Sequence, residues 1–467
     1  MYELTVKLLH EVVGGRLRLA SLAPRHGEHA AVGDVVADSR LVQRGDLFWG
    51  LPGSHCDGSQ FAADAYARGA AGTIVSQKYV KPGPGCWSLQ VDDSRQSLLK
   101  LATWNRARYS GRVVAVTGSV GKTTTRQMIR AVLERQFRGT TSPKNYNNHV
   151  GVPLSMTALD PRHQFGVLEL AASAPGEIGS LAELCQPHVG VITRIGDAHL
   201  GGFGSLDALA KAKTELLEGL PIDGCAVLAG DDARLRRLAS RSRAKIVWFG
   251  RGLDNDLVAT NVESRDGRLG FEVDGTHMSV AVWGRHHLCS ALAAVAVGRL
   301  FGMRDVEISR GLCEFEPAPM RCQISNIGGA TIIDDTYNAS PVAMKAALEL
   351  LRDINAPGRR IVVCGDMREL GEAAPRLHRN LGDQVVTLCG ADLLVACGDH
   401  SSDVVDGART AGMPQSRTLA VPDVDHLLEH CQRVVQPGDV VLIKGSRALA
   451  MERLVAQLKL REMSYAI

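Results

Sequence analysis

From Val113 onward the chain repeats one pattern, a short unbroken apolar run followed by a longer stretch of helical periodicity. The runs are "VVAV" (113–116), "FGVLEL" (165–170), "HVGVITRIG" (188–196), "CAVLAG" (225–230) and "KIVWFG" (245–250). A strand with one face in water alternates apolar and polar residues, whereas a strand buried on both faces does not. Such strands separated by helices predict a parallel sheet covered on both sides, a doubly wound α/β fold. A second βα series follows: "ATIIDDTY" (330–337), "RIVVCGD" (360–366), "DLLVACG" (392–398) and "DVVLIKGS" (439–446). Ahead of Val113, "DVVADSR" (34–40), "DLFWGL" (46–51), "GTIVSQ" (72–77) and "CWSLQV" (86–91) read as short strands. Gly-rich turns and the helix-like "SQFAADAYARGA" (59–70) separate them, as in a small α/β unit. "EFEPAPMRC" (314–322), with two prolines, marks the later boundary. Three domains are expected: 1–108, a central doubly wound sheet over 109–318, and a Rossmann-like unit over 319–467.

The first run enters "TGSVGKTTT", and the stretch from Thr123 to Phe137 has apolar residues at helical spacing. The usual phosphate loop, G-x-x-x-x-G-K-[ST], needs a glycine at position 116, where Val116 stands. The strand, glycine turn and helix are nevertheless in the order such a loop requires. Gly118 and Gly121 free the backbone to aim its N–H groups inward, and the helix N-terminus adds partial positive charge. Lys122 is expected to reach the β- and γ-phosphates, and the Thr123 hydroxyl to serve Mg²⁺. Thr117, Gly118, Ser119, Val120, Gly121, Lys122, Thr123 and Thr124 together form the expected nucleotide cradle.

Lys and Arg number 53 against 50 Asp and Glu, and the basic residues are dispersed, which argues against a nucleic-acid surface. Eleven cysteines without a C-x-x-C pair read as reduced thiols in a cytoplasmic protein. No run approaches the roughly 18 apolar residues of a membrane span.

T-G-[ST]-x-G-K-T-[ST] resembles the loop of the Mur ligase family, the ATP-dependent amide ligases of cell-wall synthesis and their folate relatives. The resemblance runs nearly end to end. "SPKNYNNHVGVPLS" (142–155) is similar to the family's T-x-x-N-x-N-N-x-x-G-x-P segment. "VLELAASAPGEIGSL" puts Glu169 at a strand end. "VITRIGDAHLGGFGSLDALAKAKTELLEGL" resembles the stretch with the family's metal-binding histidine and modified lysine. "DDTYNASPVAMKAAL", "GDMRELGEAAPRLH" and "LIKGSRALAMERLV" follow in the expected order. Y-N-A-x-P and G-D-M-x-E-L-G resemble the members that add D-alanyl-D-alanine.

The resemblance implies transfer of the ATP γ-phosphoryl to the carboxylate of UDP-N-acetylmuramoyl-tripeptide, then attack on the acyl phosphate by the amine of D-alanyl-D-alanine. It implies Lys122, His199, Lys213 and Arg321 as catalytic residues. Thr123, Glu169, His199 and Lys213 become the ligands of two Mg²⁺ ions, with Lys213 carried as a carbamate. His287 and Ser290 fall where the adenine is held, Arg321 beside the transferring phosphoryl, and Asp335 and Asn338 near the ribose. Ser39, Arg40, Gly53, Asp57 and Gly58 match segments that hold the UDP end, and Asn145 and Asn148 are expected on the substrate. "IKGS" (443–446) is expected near the incoming dipeptide, and the enzyme is expected to act as a monomer.

Plainer readings stand beside these. His199 is alternatively an ordinary loop histidine, Lys213 a solvated helix lysine and Arg321 a surface arginine. Asp335 and Asn338 suit a structural turn, as do Gly53 and Gly58. Arg194, His287, Ser290 and Met320 depart from the residues usual at their positions, and Ala171 lies where a glycine is often near. None of these departures touches Lys122, Thr123, Glu169, His199 or Lys213. Arg194, bringing a cation close to the expected metals, is a candidate contact of the transferring phosphate. The rivals are a ligase of the same family adding one amino acid, a P-loop NTPase switch, and a scaffold that binds ATP without turnover.

Overall fold

The computed structural model describes residues 3–20, 27–53, 56–76, 81–197, 200–431 and 434–465. The unbroken apolar runs are parallel strands, as predicted. The central sheet has seven, side by side in the order Leu257–Val258, Lys245–Gly250, Cys225–Ala229, Val189–Ile192, Arg112–Thr117, Phe165–Glu169 and Gly139–Thr141. Every neighbouring pair is parallel. Helices Lys122–Leu133 and Leu288–Leu300 pack on one face, and Glu177–Cys185 and Leu206–Glu218 on the other. The Leu288–Leu300 helix is apolar nearly all round, which is why it is buried nearly all round.

This order decides where a ligand can go. After Arg112–Thr117 the chain builds Gly139–Thr141 and Phe165–Glu169 to one side, then crosses back to Val189–Ile192 on the other. The strand ends separate at that reversal and open a crevice at their carboxyl ends. Thr117, Glu169 and Ile192 are the last residues of the three strands that meet there.

A five-stranded sheet precedes this one, in the order Arg16–Leu19, Trp87–Gln90, Gly72–Val75, Leu47–Trp49 and Val35–Val36, with the first pair antiparallel and the rest parallel. Helix Ser94–Arg108 ties it to the central sheet. Asn105 Nδ2 donates to the carbonyls of Met156 and Leu159 at 2.8 Å each, and Arg106 donates to those of Cys185 and Gln186 at 2.7 Å each. These bonds pair the buried Asn105 and Arg106 side chains with backbone carbonyls, so burying those side chains costs less. A six-stranded sheet follows, in the order Gln323–Ile327, Ala330–Asp334, Val440–Lys444, Arg360–Gly365, Leu393–Cys397 and Thr418–Val421, parallel except for its first pair. The α/β class with a central doubly wound sheet, a smaller α/β unit before it and a Rossmann-like sheet after it is the fold expected.

One element was not expected. Thr260–Arg265, Arg268–Val273 and Thr276–Val280 form an antiparallel three-stranded sheet. Its turns are Asp266-Gly267 and Asp274-Gly275, with φ of +50° and +75°, then +48° and +76°. Two successive positive φ values define the type I′ turn whose twist matches paired strands, and Asp-Gly is its usual sequence. That dipeptide, twice within ten residues, was the available signal.

Candidate active site

The crevice is a cavity of about 550 Å³ with two walls. One wall is the loop and helix after Arg112–Thr117, with Glu169, Arg194 and the His286–Ser290 segment. The other is Arg321 and Cys322, the Asp335–Ala346 stretch, Arg368, Glu369 and Lys444.

The loop is built by its glycines. Gly118 has φ +143°, and a Cβ there would stand 2.1 Å from Thr193 Oγ1, so no side chain fits. Gly121, at φ +85°, is the N-cap of helix Lys122–Leu133. With no side chain capping them, the first N–H groups of that helix are left facing the cavity. Val116 sits inside the preceding strand, fully buried. The missing outer glycine therefore lies in the sheet, behind the loop. Of the eight expected loop residues, Ser119 through Thr124 line the cavity. Thr117 is turned inward, and its hydroxyl donates to the Leu170 carbonyl at 2.8 Å.

Lys122 folds back on its own loop, donating to the carbonyls of Gly118 at 2.8 Å and Ser119 at 3.2 Å. Burial lowers its pKa below the usual lysine value, and the Glu169 carboxylate opposes that fall. Glu169 is 1% exposed. Its Oε1 accepts from Asn147 Nδ2 at 2.8 Å, and Oε2 lies 3.4 Å from Arg126 Nε. That approach lacks hydrogen-bond geometry, so Glu169 Oε2 and Arg126 Nε and Nη1 are buried polar atoms without a hydrogen-bond partner. Buried polar atoms are rarely left so, and each calls for a reason, such as an ion or ligand.

Sequence reasoning did not name Arg126 or Asn147. Arg126 lies one helical turn beyond Lys122, a spacing that puts both on one face. Asn147 lies between two residues that were named. Those two, Asn145 and Asn148, also line the cavity. Asn148 Oδ1 accepts from the N–H groups of Val150 and Gly151 at 3.1 and 2.9 Å, which starts helix Gly151–Thr157.

Lys213 is a buried residue of helix Leu206–Glu218, 1% exposed, so the solvated-lysine reading does not hold. Its Nζ donates to the Ala172 carbonyl at 3.4 Å and stands 5.6 Å from the Phe203 ring centroid. Burial, reinforced by the nearby Lys122 charge, pushes its pKa down to about 7. His199 lies outside the described residues.

The opposite wall reaches across at one point. Arg321 Nη2 donates to Thr123 Oγ1 at 3.2 Å, while its guanidinium stacks on Tyr337 with 3.9 Å between Cζ and ring centroid. Met320 and Cys322 on either side have φ of +61° and +51°, a region that favours glycine. The Met320 departure therefore places a side chain in a strained conformation. Asp335 Oδ2 pairs with Lys444 Nζ at 2.6 Å, and Lys444 also donates to the Asn338 carbonyl at 2.9 Å. Lys444, the lysine of "IKGS", thus holds the turn that presents Asp335 and Asn338.

The other departures also fall on the cavity. Ser290 Oγ accepts from Thr125 Oγ1 at 2.8 Å. The Arg194 carbonyl accepts from the Ser119 N–H at 2.8 Å, and its exposed side chain lines the cavity.

Ser39, Arg40, Gly53, Asp57 and Gly58 do not line this cavity. Ser39 is buried, and Arg40 makes a two-pronged pair with Asp38 at 2.9 and 2.8 Å. Asp57 Oδ1 accepts from the Ser59 N–H at 2.7 Å and starts a short 3₁₀ helix. A Cβ on Gly58 would meet the Leu51 carbonyl at 2.6 Å, and the Gly53 N–H donates to the Cys56 carbonyl at 2.9 Å. These glycines close a turn. Lys144 is near enough to Asp38 to help lower its carboxyl, after the hydrogen bonds from Arg40. The first sheet therefore meets the segment that leads through Asn145, Asn147 and Asn148 into the cavity.

A phosphate loop at the reversal of a doubly wound sheet, facing a second sheet that supplies cations, defines a nucleotide-dependent enzyme. Residues 116–298 match the Mur ligase middle domain, and residues 320–447 match the Mur ligase, glutamate ligase domain. The chain belongs to the Mur ligase family, and is an ATP-dependent ligase of that family. It is 32% identical over 461 residues to the UDP-N-acetylmuramoyl-tripeptide–D-alanyl-D-alanine ligase of Bacillus subtilis, covering 98% of this chain and 99% of that protein. A crystal structure of MurF from Acinetobacter baumannii superposes with a TM-score of 0.83 at 30% identity, covering 97% of this chain and 98% of that one. MurF ligase from Thermotoga maritima, in complex with ADP, gives 0.76 at 29% identity over 92% and 98%. Among the described residues no helix is long and apolar enough to cross a membrane.

Proposed function

We propose that this enzyme joins D-alanyl-D-alanine to UDP-N-acetylmuramoyl-tripeptide at the expense of ATP, and that three units, near 1–108, 109–318 and 319–467, bring the three reactants to one cavity. The observation that carries this reading is the 3.2 Å contact of Arg321 with Thr123, a cation from the last unit at the phosphate loop of the central one.

The ATP phosphates lie against the N–H groups of Val120 to Thr124. Lys122 leaves the carbonyls of Gly118 and Ser119 and turns to the β- and γ-phosphates. The γ-phosphoryl passes to the tripeptide carboxylate, breaking its bond to the bridging oxygen and leaving ADP. The dipeptide's neutral amine then attacks the acyl carbon, inorganic phosphate departs with the carbon–oxygen bond, and the amine's proton goes to solvent. Negative charge grows in both steps, so fixed cations in a desolvated site stabilise the transition states most. Lys122 and Arg321 are those cations.

The donors present fit Mg²⁺, a hard ion that prefers oxygen. Thr123 Oγ1 and the unpartnered Glu169 Oε2 would hold it, and His199 and Lys213 complete the proposed set. When bound, Mg²⁺ supplies charge neutralisation to the phosphates. Burial that pushes the Lys213 pKa down to about 7 favours the unprotonated amine, the form that captures CO₂ as a carbamate. His287 and Ser290 flank the adenine, Asp335 and Asn338 the ribose, and Ser39, Arg40, Gly53, Asp57 and Gly58 the UDP end. The enzyme acts as a monomer in the cytoplasm.

A panel of amine acceptors read by product mass tests this. D-alanyl-D-alanine should give UDP-N-acetylmuramoyl-pentapeptide. Efficient use of lysine or diaminopimelate in its place would instead make this a ligase that adds one amino acid.

A further inference from the structure

We infer that the cavity wall also holds a site for a thiophilic divalent cation of the Zn²⁺ class, made by His286, His287 and Cys322. One ligand atom from each lies within 4.8 Å of the others, a clustering found nowhere else among the described residues. Cys322 Sγ is 3.8 Å from His286 Nε2, and the two imidazole centroids are 4.0 Å apart. A tetrahedral zinc with two nitrogens and one sulfur needs those atoms about 3.3–3.6 Å apart. The Cys322–His286 pair is already close to that spacing, and side-chain rotations moving the ligand atoms by up to about an ångström close the rest of the site.

The chemistry separates this site from the Mg²⁺ site. Thr123 and Glu169 offer oxygens, whereas this cluster joins two nitrogens to a sulfur, a donor set that favours zinc over magnesium. Burial keeps both rings neutral, holding His286 down at about 4 and His287 well below its ordinary value, so their lone pairs are available. Burial also keeps the Cys322 thiol protonated. Binding therefore replaces the S–H bond with an S–metal bond and releases one proton to solvent. Three protein ligands leave a fourth position for water or the nearby Asp335 carboxylate, which accepts from the Cys322 N–H at 3.2 Å.

The position has a consequence. His286 and His287 lead into helix Leu288–Leu300 beside the central sheet, and Cys322 stands just ahead of the strand Gln323–Ile327 that opens the last sheet. A bound ion clips the two walls together where Cys322 is held at φ +51°. It also occupies the wall where the adenine is proposed to lie, so metal and ATP exclude each other. That second part alone rests on the proposed function.

Cobalt titration of the purified full-length protein, without nucleotide, tests the site. One equivalent of Co²⁺ should give a sulfur-to-cobalt charge-transfer band in the near ultraviolet, and one equivalent of Zn²⁺ should abolish it. Cys322→Ser should remove the band, His287→Asn should weaken Co²⁺ binding at least about tenfold, and Cys313→Ser, which alters an exposed thiol, should leave it intact. A wild-type protein with no band overturns the site whatever the variants do, and so does a band that survives Cys322→Ser. In a separate ligase assay, inhibition by stoichiometric Zn²⁺ should be relieved by excess ATP. Inhibition insensitive to ATP would remove the exclusion while leaving the site standing.

Discussion

The two walls of the cavity are held in different ways. The central wall is fixed by the backbone. Its strand is buried between parallel neighbours, Gly118 admits no side chain, and the helix starts one residue after Gly121. The opposite wall is fixed by side chains: Lys444 on Asp335 and on the Asn338 carbonyl, and Arg321 between Tyr337 and Thr123. Met320 and Cys322, which flank Arg321, occupy backbone conformations that cost non-glycine residues energy. A wall made of backbone is ready before any ligand arrives. The opposite wall depends instead on a few side-chain contacts beside a strained linker, and closure over reactants is one way such sites exclude water.

This difference predicts which substitutions act on chemistry and which on the meeting of the walls. Lys122→Ala removes the proposed phosphate cation of the fixed wall and should lower kcat by about a thousandfold, read by ADP release under saturating substrates. Arg321→Ala removes the proposed phosphoryl cation supplied by the opposite wall and should lower kcat by about a hundredfold with an unchanged melting temperature. Arg321→Lys should recover little, because a lysine cannot both stack on Tyr337 and donate through a planar fork. A small Arg321→Ala effect would mean that the second wall positions ligands without sharing in the chemistry.

Lys213 gives a pH-dependent test. Between about pH 7 and its ordinary value near 10.5, the unfolded chain binds more protons at this residue than the folded one does. Stability attributable to it therefore rises with pH through that window, and the penalty for burying it is largest below pH 7. In CO₂-free buffer Lys213→Met should stabilise the fold by about 1–3 kcal/mol at pH 7, less at pH 9, while turnover falls. Destabilisation at both pH values would show that the buried amine has partners that offset its desolvation. Met320→Gly relieves a positive φ but adds freedom to the unfolded chain, so the expected change in denaturant midpoint is within about 1 kcal/mol. A larger loss would mean that the Met320 side chain itself holds the linker.

The sequence made legible what short stretches of chain decide. Unbroken apolar runs gave the parallel sheets, because burial on both faces is written residue by residue. The loop glycines gave the phosphate cradle, because their φ values belong to them alone. The Arg126–Glu169 pair with its unbonded atoms, the Asn147 bond and the Thr125–Ser290 bond were not legible. They depend on segments 22 to 165 positions apart coming together. Thr117 belongs to the loop motif, yet its hydroxyl serves Leu170, since a motif marks a stretch of chain and not the direction each side chain takes. Asp57 and Asn148 likewise serve backbone N–H groups that no ligand was needed to explain.

The most direct test is ADP release by the purified protein with ATP, Mg²⁺ and UDP-N-acetylmuramoyl-tripeptide, with and without D-alanyl-D-alanine. Release that requires the dipeptide, accompanied by a UDP-N-acetylmuramoyl-pentapeptide product, is the predicted result. Release at the same rate without tripeptide or dipeptide would contradict the account, because two walls that meet over three reactants would then be turning over only one.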